Sequence, residues 1–430
     1  MIAAKLGIRN LARNRWRSGL TLAAIAVAVA LMVWTLAFYE GWLQQMVQGA
    51  TAVEAAQIQI HTAAYADRPR VYRTFPVDSE LLRRLEGVAD VVAVSPRIEA
   101  NGLVGNEHRS QVAQVHGVDP EREARTTPIR RAVTAGHWLS IAPAPDPGPR
   151  EAVLGEALAR QLGVGVGAEL VLFLEAADGS LGNELLRVTG IVRTGNTKVD
   201  RSSVYLHRSD AERLTALSGE VHEIAVRTRD LSQARSTTQT VAAAIGALDR
   251  LPADAAAARD DRLVARPWQE ILPAVDQMVV LFRRSYWFMY LLIYLVAGVG
   301  ILNTQRMSAL ERRREFGVMM AIGMRPRRMF RTLQIETAVL GSTGALIGAA
   351  AGGGLAWYHA RAGLNMALFT DQTAFSFMGV SFSDRLYFVL EPMALVEPVA
   401  VMMIFAFLCG LWPAWRAARI DPVPTLSGRA

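Results

Sequence analysis

The sequence predicts a membrane protein with four transmembrane α-helices and a large α+β extracytoplasmic domain inserted between helices 1 and 2. Three observations carry that expectation. The 430-residue chain is 51% hydrophobic with a mean hydropathy of +0.20, more apolar than a soluble domain of this length needs. Four windows hold the roughly 20 mostly apolar residues that a helix needs to cross hydrocarbon. The surplus positive charge, +7 in total, gathers at the ends of those windows.

Residues 1–17 set Ile2, Leu6, Ile8 and Leu11 against Lys5, Arg9, Arg13, Arg15 and Arg17, with no acid. The first span, 18–41, is uncharged from Ser18 to Tyr39 ("SGLTLAAIAVAVALMVWTLAFY"). Ala26-Val27-Ala28 resembles a signal-peptidase site, but the apolar run continues through Leu31–Phe38, which favours an uncleaved anchor. The second span, 276–305, is uncharged from Ser285 to Gln305, with Arg283 and Arg284 at its outer boundary. The third, 335–359, contains "TAVLGSTGALIGAAAGGGLAWY", and the fourth, 392–415, contains "PVAVMMIFAFLCGLWPAW". A short loop, 360–391, joins them, and a tail, 416–430, follows.

Placement of arginine and lysine orients the spans. The N-terminal cluster, the 306–334 loop (Arg306, Arg312, Arg313, Arg314, Arg325, Arg327, Arg328, Arg331) and the tail (Arg416, Arg419, Arg429) all fall on one side. That side is expected to be cytoplasmic. Because the charge is juxtamembrane, nucleic acid is not an expected partner, whereas membrane lipids are. Trp34, Tyr39, Trp42, Trp357 and Tyr358 would anchor outer ends, and Trp412 and Trp415 an inner one.

Between the first two spans, 42–275 changes character. "AQIQIH", "EIAVRT", "VVAVSPRIEANGLV", "QVAQVHGVDP", "AELVLFLEA" and "LLRVTGIVRT" read as half-buried strands. "SELLRRLEGV" and "SDAERLTALSG" read as capped helices, each opened by Ser or Asp. "EALARQLGVGVGAEL" reads as a helix stopped by glycine, with "GVGVG" a turn rather than a phosphate cradle. The length suggests two subdomains. Seven histidines are scattered without ligand spacing, and "HEIAV" lacks the second histidine of a zinc-protease helix. No G-x-S-x-G or P-loop occurs. No metal site, catalytic residue or directly bound cofactor is expected, and the single Cys409 permits no internal disulfide.

The segment 306–334 is the most unusual stretch. "ERRREFGVMMAIGMRPRRMFR" mixes arginines with Phe316, Val318, Met319, Met320, Ile322 and Met324. Read as one helix, it aligns Leu310, Arg313 or Arg314, Gly317, Met320 or Ala321 and Met324 on one face. Glu311 can pair with Arg314, and Glu315 with Arg312. Pro326 ends that helix or opens the next. Mixed charge, methionines and small Gly317 and Gly323 suit docking into a protein groove better than lying on headgroups. In the third span, Gly344, Gly348 and Gly352 recur every four residues and invite close helix packing, inside the chain or with a partner chain. Glu336, at the inner end of that span, is expected to pair with Arg328 or Arg331.

"LGIRNLARNRWRSGLTLAAIAVAVAL", "NTQRMSALERRREFGVMMAIGMRPRRMFRTLQIETAVLGSTGALIGAAAG" and "PAWRAARIDPVPTLSG" resemble, in order, the opening, coupling segment and end of FtsX/MacB/LolC-LolE-like ABC transporter permeases, the type VII mechanotransmission family. The resemblance spans the chain. It implies an interfacial elbow helix over 1–17, a MacB-like periplasmic domain with a stalk, and a coupling helix docking a separate cytoplasmic ATPase dimer. Carried over, Glu311, Arg312, Arg314, Glu315, Gly317, Met320, Gly323 and Met324 would form the coupling surface. Mg-ATP would be used by that ATPase, a second permease would complete the pair, and a periplasmic carrier or adaptor would take part. The implied functions are lipoprotein release, toward which the tail leans, MacB-like efflux of peptides or amphiphiles, and FtsX-like control of a cell-wall hydrolase without transport. A membrane-anchored enzyme is disfavoured by the missing catalytic constellation.

Overall fold

A computed structural model describes residues 15–246, 262–366, 376–377, 380–381 and 385–419. The expected elbow helix lies almost wholly outside these residues, as does most of the tail. The chain divides into two compact units, one of Met1–Gln45, Val279–Asp371 and Asp384–Ala430, the other of Met46–Met278 and Gln372–Ser383.

The first unit is built on four helices long and apolar enough to cross a membrane. They are α1 (Arg15–Ala50), α7 (Pro273–Glu311), α9 (Pro326–Ala362) and α10 (Pro392–Ala417), with the short α8 (Arg313–Ala321) between α7 and α9. Ile25, Val29, Met32 and Val33 of α1 pack with Tyr290, Tyr294 and Ile301 of α7, Leu340 and Ala345 of α9, and Met402 and Ala406 of α10.

Backbone proximity accompanies these contacts. A Cβ added at Gly344 would lie 2.8 Å from Ile25 Cγ2, at Gly348 2.4 Å from the Ala26 carbonyl oxygen, and at Gly352 2.5 Å from that of Ala30. The four-residue glycine repeat is therefore the groove in which α1 lies, and it is used within the chain. The adjacent Gly341 faces Ala406 of α10 at 2.8 Å by the same measure. Polar links cross the bundle too. Thr21 and Thr304 share a hydroxyl hydrogen bond of 2.7 Å, and the Tyr294 hydroxyl donates to the Pro398 carbonyl at 3.0 Å. In an apolar medium such pairings spare groups that would otherwise lack partners. Trp42, expected as an interfacial anchor, is instead buried with its ring 4.7 Å from that of Phe282. Trp412 and Trp415 are half exposed, with Arg306 and Arg416 over the former and Arg419 over the latter.

The second unit centres on a ten-stranded sheet. Its strands are β1 (Ile58–Thr62), β2 (Val91–Gly105), β3 (Ser110–Val118), β4 (Val133–Gly136), β5 (Arg150–Gly155), β6 (Glu169–Glu175), β7 (Leu181–Val192), β8 (Ser203–His207), β9 (Glu223–Thr228) and β10 (Leu263–Pro267). The order is β10-β1-β9-β2-β3-β8-β5-β7-β4, and β6 pairs with both β2 and β7. That double pairing closes β2, β3, β8, β5, β7 and β6 into a ring. Alternation explains why: Leu170, Leu172 and Leu174 point inward while Val171 and Phe173 point out. The ring encloses Val104, Val115, Leu154, Leu172, Leu186 and Leu206.

The remaining strands form an open layer under α2 (Ser79–Glu86) and α6 (Ala234–Gly246), around Ile58, Ile60, Leu85, Val94, Ile224 and Val241. The 15-residue β2 belongs to both cores. Local chemistry sets the helix ends. Asp78, one residue before the expected Ser79, caps α2 by accepting from the Leu81 N–H, and α4 (Glu156–Leu162) stops at Gly163 in the left-handed conformation. For α5 (Arg208–Leu214) the cap differs from expectation: His207 accepts from the Ser209 N–H, while Asp210 turns inward to Arg213.

Candidate functional site: the α7–α8–α9 coupling segment

The basic segment does not form one helix. The chain leaves α7 at Glu311, Arg312 takes φ −96° and ψ 10°, and α8 begins at Arg313. Gly323, at φ 95°, makes the turn after α8, a backbone conformation that favours glycine. Pro326 opens α9 at its first turn, where its missing N–H costs nothing.

This break rearranges the expected surface. Phe316 is 1% exposed and packs with Met329 and Leu333 of α9 and Ala414 and Ala417 of α10. Met320 and Met324 support the same cluster, and Gly317 is buried. Phe316, Met319 and Met320 therefore hold α8 to its own chain, with Met324 from the following turn beside them. Facing outward are Arg314, Val318 and Ala321, one turn apart, together with Glu311 and Arg313 near the break and Ile322 just beyond the helix. Val318 is 45% and Ile322 80% exposed. Both stand among the arginines in the sequence, but the expected coupling surface leaves them out. The available signal was an apolar pair four residues apart on the side opposite Phe316 and Met320.

Arg312 is directed inward. Its Nη1 donates to Glu336 Oε2 at 3.1 Å, its Nε to Glu315 Oε2 at 3.3 Å, and its guanidinium lies 5.0 Å from the Phe316 ring centre. The Glu315 pairing follows the expectation from spacing. The Glu336 pairing does not, since Arg328 and Arg331 were its expected partners. The break at Arg312 swings that side chain over α9, and Glu336 follows Met329 and Leu333 on the buried face of α9 that receives α8.

The second unit holds a separate buried charge cluster. Arg97 on β2 donates through Nε and Nη2 to both oxygens of Glu123 (3.1 and 2.6 Å), through Nη1 to Glu223 Oε1 (3.1 Å), and through Nη2 to the Val53 carbonyl (3.2 Å). Nearby, Glu99 meets His116 Nδ1, and its own N–H donates to His222 Nδ1. His222 Nε2 in turn donates to the Val71 carbonyl, so this imidazole is held neutral, and burial lowers its pKa. Burial, reinforced by the negative Glu99, pushes the Glu223 carboxyl up to about 7. The "HEIAV" residues thus serve this cluster, with Glu223 on a strand as read from the sequence.

The MacB-like periplasmic core domain family matches residues 18–247, and the FtsX-like permease C-terminal family matches residues 287–422. The lipoprotein-releasing system transmembrane protein LolC of Neisseria meningitidis is 23% identical over 99% of this chain and 99% of its own. The macrolide export ATP-binding/permease protein MacB of Hyphomonas neptunium is 22% identical over 99% of this chain, which spans 60% of that relative. Among solved structures, the periplasmic region of MacB from Actinobacillus actinomycetemcomitans matches 55% of this chain and 98% of that one, at 13% identity and a TM-score of 0.35. With one family matching over half the chain and the other the region of the last three of its four long apolar helices, the chain belongs to the ABC transporter permeases that join a MacB-like periplasmic core domain to an FtsX-like membrane region.

Proposed function

We propose that this permease converts ATP hydrolysis in a separate cytoplasmic ATPase dimer into movement of its periplasmic domain, extracting or exporting cargo from the membrane or periplasm. The observation that carries the proposal is α8. Its inner face is anchored by Phe316, its outer face offers Arg314 and Val318, and Glu311 and Ile322 are exposed just before and just after it. A helix presenting two apolar side chains among mixed charges fits a partner groove. Mg-ATP would be used by the partner, and a second permease would complete the assembly. In this orientation both termini and the 306–334 loop are cytoplasmic and the large domain is periplasmic.

Lipoprotein release is the favoured activity, with a periplasmic carrier receiving the cargo, because the LolC relative aligns along both whole chains. MacB-like efflux through an adaptor is the second reading, favoured by the periplasmic core family. Charge reversal at Glu311 together with Ile322→Asp should abolish capture of the co-expressed ATPase while leaving the permease folded in the membrane. Undiminished capture with unchanged ATP turnover would refute the docking role.

A further inference from the structure

Among the expected coupling residues, Arg312 is set apart by its contacts. It occupies the break between α7 and α8, yet its guanidinium reaches across to Glu336 of α9 as well as to Glu315 of α8. The other junction, between α8 and α9, passes through Gly323 in the left-handed region. α8 is therefore a nine-residue lever with a bend at each end. Its attachments to α9 include the packing of Phe316, Met319 and Met320 against the cluster of Met329 and Leu333, and, from the break at its start, the Arg312–Glu336 ion pair. The Glu336 side chain is 7% exposed, so an ionised carboxylate there depends on a cation at hydrogen-bond distance. Arginine suits the position because its planar fork reaches Glu336 and Glu315 at once while its face covers Phe316.

We propose that the Arg312–Glu336 pair is a latch that fixes the angle of α8 on α9, making Arg312 and Glu336 positioning residues for ATPase coupling rather than part of the docking surface. A pull on α8 then reaches the inner end of α9 through Glu336 as well as α7 through the chain. With the latch open, α8 pivots at its two bends, and movement of the motor is absorbed there. The proposal rests on the reading of α8 as the ATPase handle.

The test separates the two ideas. Full-length protein carrying Cys409→Ala is spin-labelled at Arg314→Cys on α8 and Leu346→Cys on α9, both exposed positions, and studied in lipid nanodiscs. The latch predicts one narrow distance distribution, broadened about twofold by Arg312→Gln or Glu336→Gln. Should the single variants misfold around a lone charge, the double variant Arg312→Met/Glu336→Leu removes both charges; it should fold and still show the broad distribution. A narrow distribution in that double variant overturns the latch. With the co-expressed ATPase and Mg-ATP, the latch variants should still capture the ATPase but lose the permease-dependent change in turnover at least fivefold. Broad distances with a fully retained turnover response overturn the positioning role. If the unaltered chain captures no ATPase, the handle reading falls instead, and the distances alone judge the latch.

Discussion

Gly348 offers a direct measure of how closely α1 and α9 approach. A methyl group there would sit 2.4 Å from the Ala26 carbonyl oxygen, 2.9 Å from Val29 Cβ and 3.0 Å from Ala26 Cα. Two of these three atoms are backbone, so no side chain can swing aside, and the helices must part by more than half an ångström. Overpacking of this kind costs about 1–3 kcal/mol. Alanine also gains roughly 1 kcal/mol of helix propensity over glycine, which would mask part of the loss. Gly354, in the same helix, supplies the control, since nothing lies within 4 Å of its added Cβ. Both substitutions gain the same propensity, so the stability gap between Gly348→Ala and Gly354→Ala isolates the clash at about 1–3 kcal/mol. Unfolding in mixed micelles, followed by tryptophan fluorescence, reads that gap. Coincident midpoints for the two variants would refute the packing argument.

Glu223 predicts a pH effect. Its carboxyl is raised to about 7 by burial, so the folded protein holds a proton that the unfolded chain releases, and folding loses stability as pH rises from about 5 to 7. Glu223→Gln removes this term, while the opposing contributions of Glu99 and His222 remain in both proteins. Thermal unfolding between pH 5 and 8 should therefore show the variant gaining on the parent as pH increases; parallel profiles would contradict it. For orientation, Ser110→Cys and Ser202→Cys in a Cys409→Ala background should react with a membrane-impermeant maleimide on intact spheroplasts, whereas Ser308→Cys should react only after lysis. The reverse pattern would invert the assigned topology.

What could be read from sequence was whatever a local pattern encodes. Uncharged runs of membrane length marked the spans, period-two alternation marked strands such as Glu169–Glu175, and the glycine at 163 marked a helix end. Closure of the strands into a ring was hidden, because it depends on β6 pairing with β2 across a long separation in the chain. At the coupling segment, charge and spacing suggested docking and the Arg312–Glu315 pair. The helical pattern alone could not show that Arg312 leaves helical geometry. One residue outside the helix turned Gly317, Met320 and Met324 inward and left Val318 and Ile322 outside. The buried cluster around Arg97 was equally silent, since Glu99, Glu123, His116 and His222 come from separate elements.

A cycle of strands has no first or last member. Among the described residues, the sheet's unpaired borders are β4, four residues long, and β10, which ends in Arg266 and Pro267. Both are poor templates, one for its brevity and the other for a charge and a residue without an amide hydrogen. An extended chain meeting either border would find little backbone on which to nucleate a shared sheet.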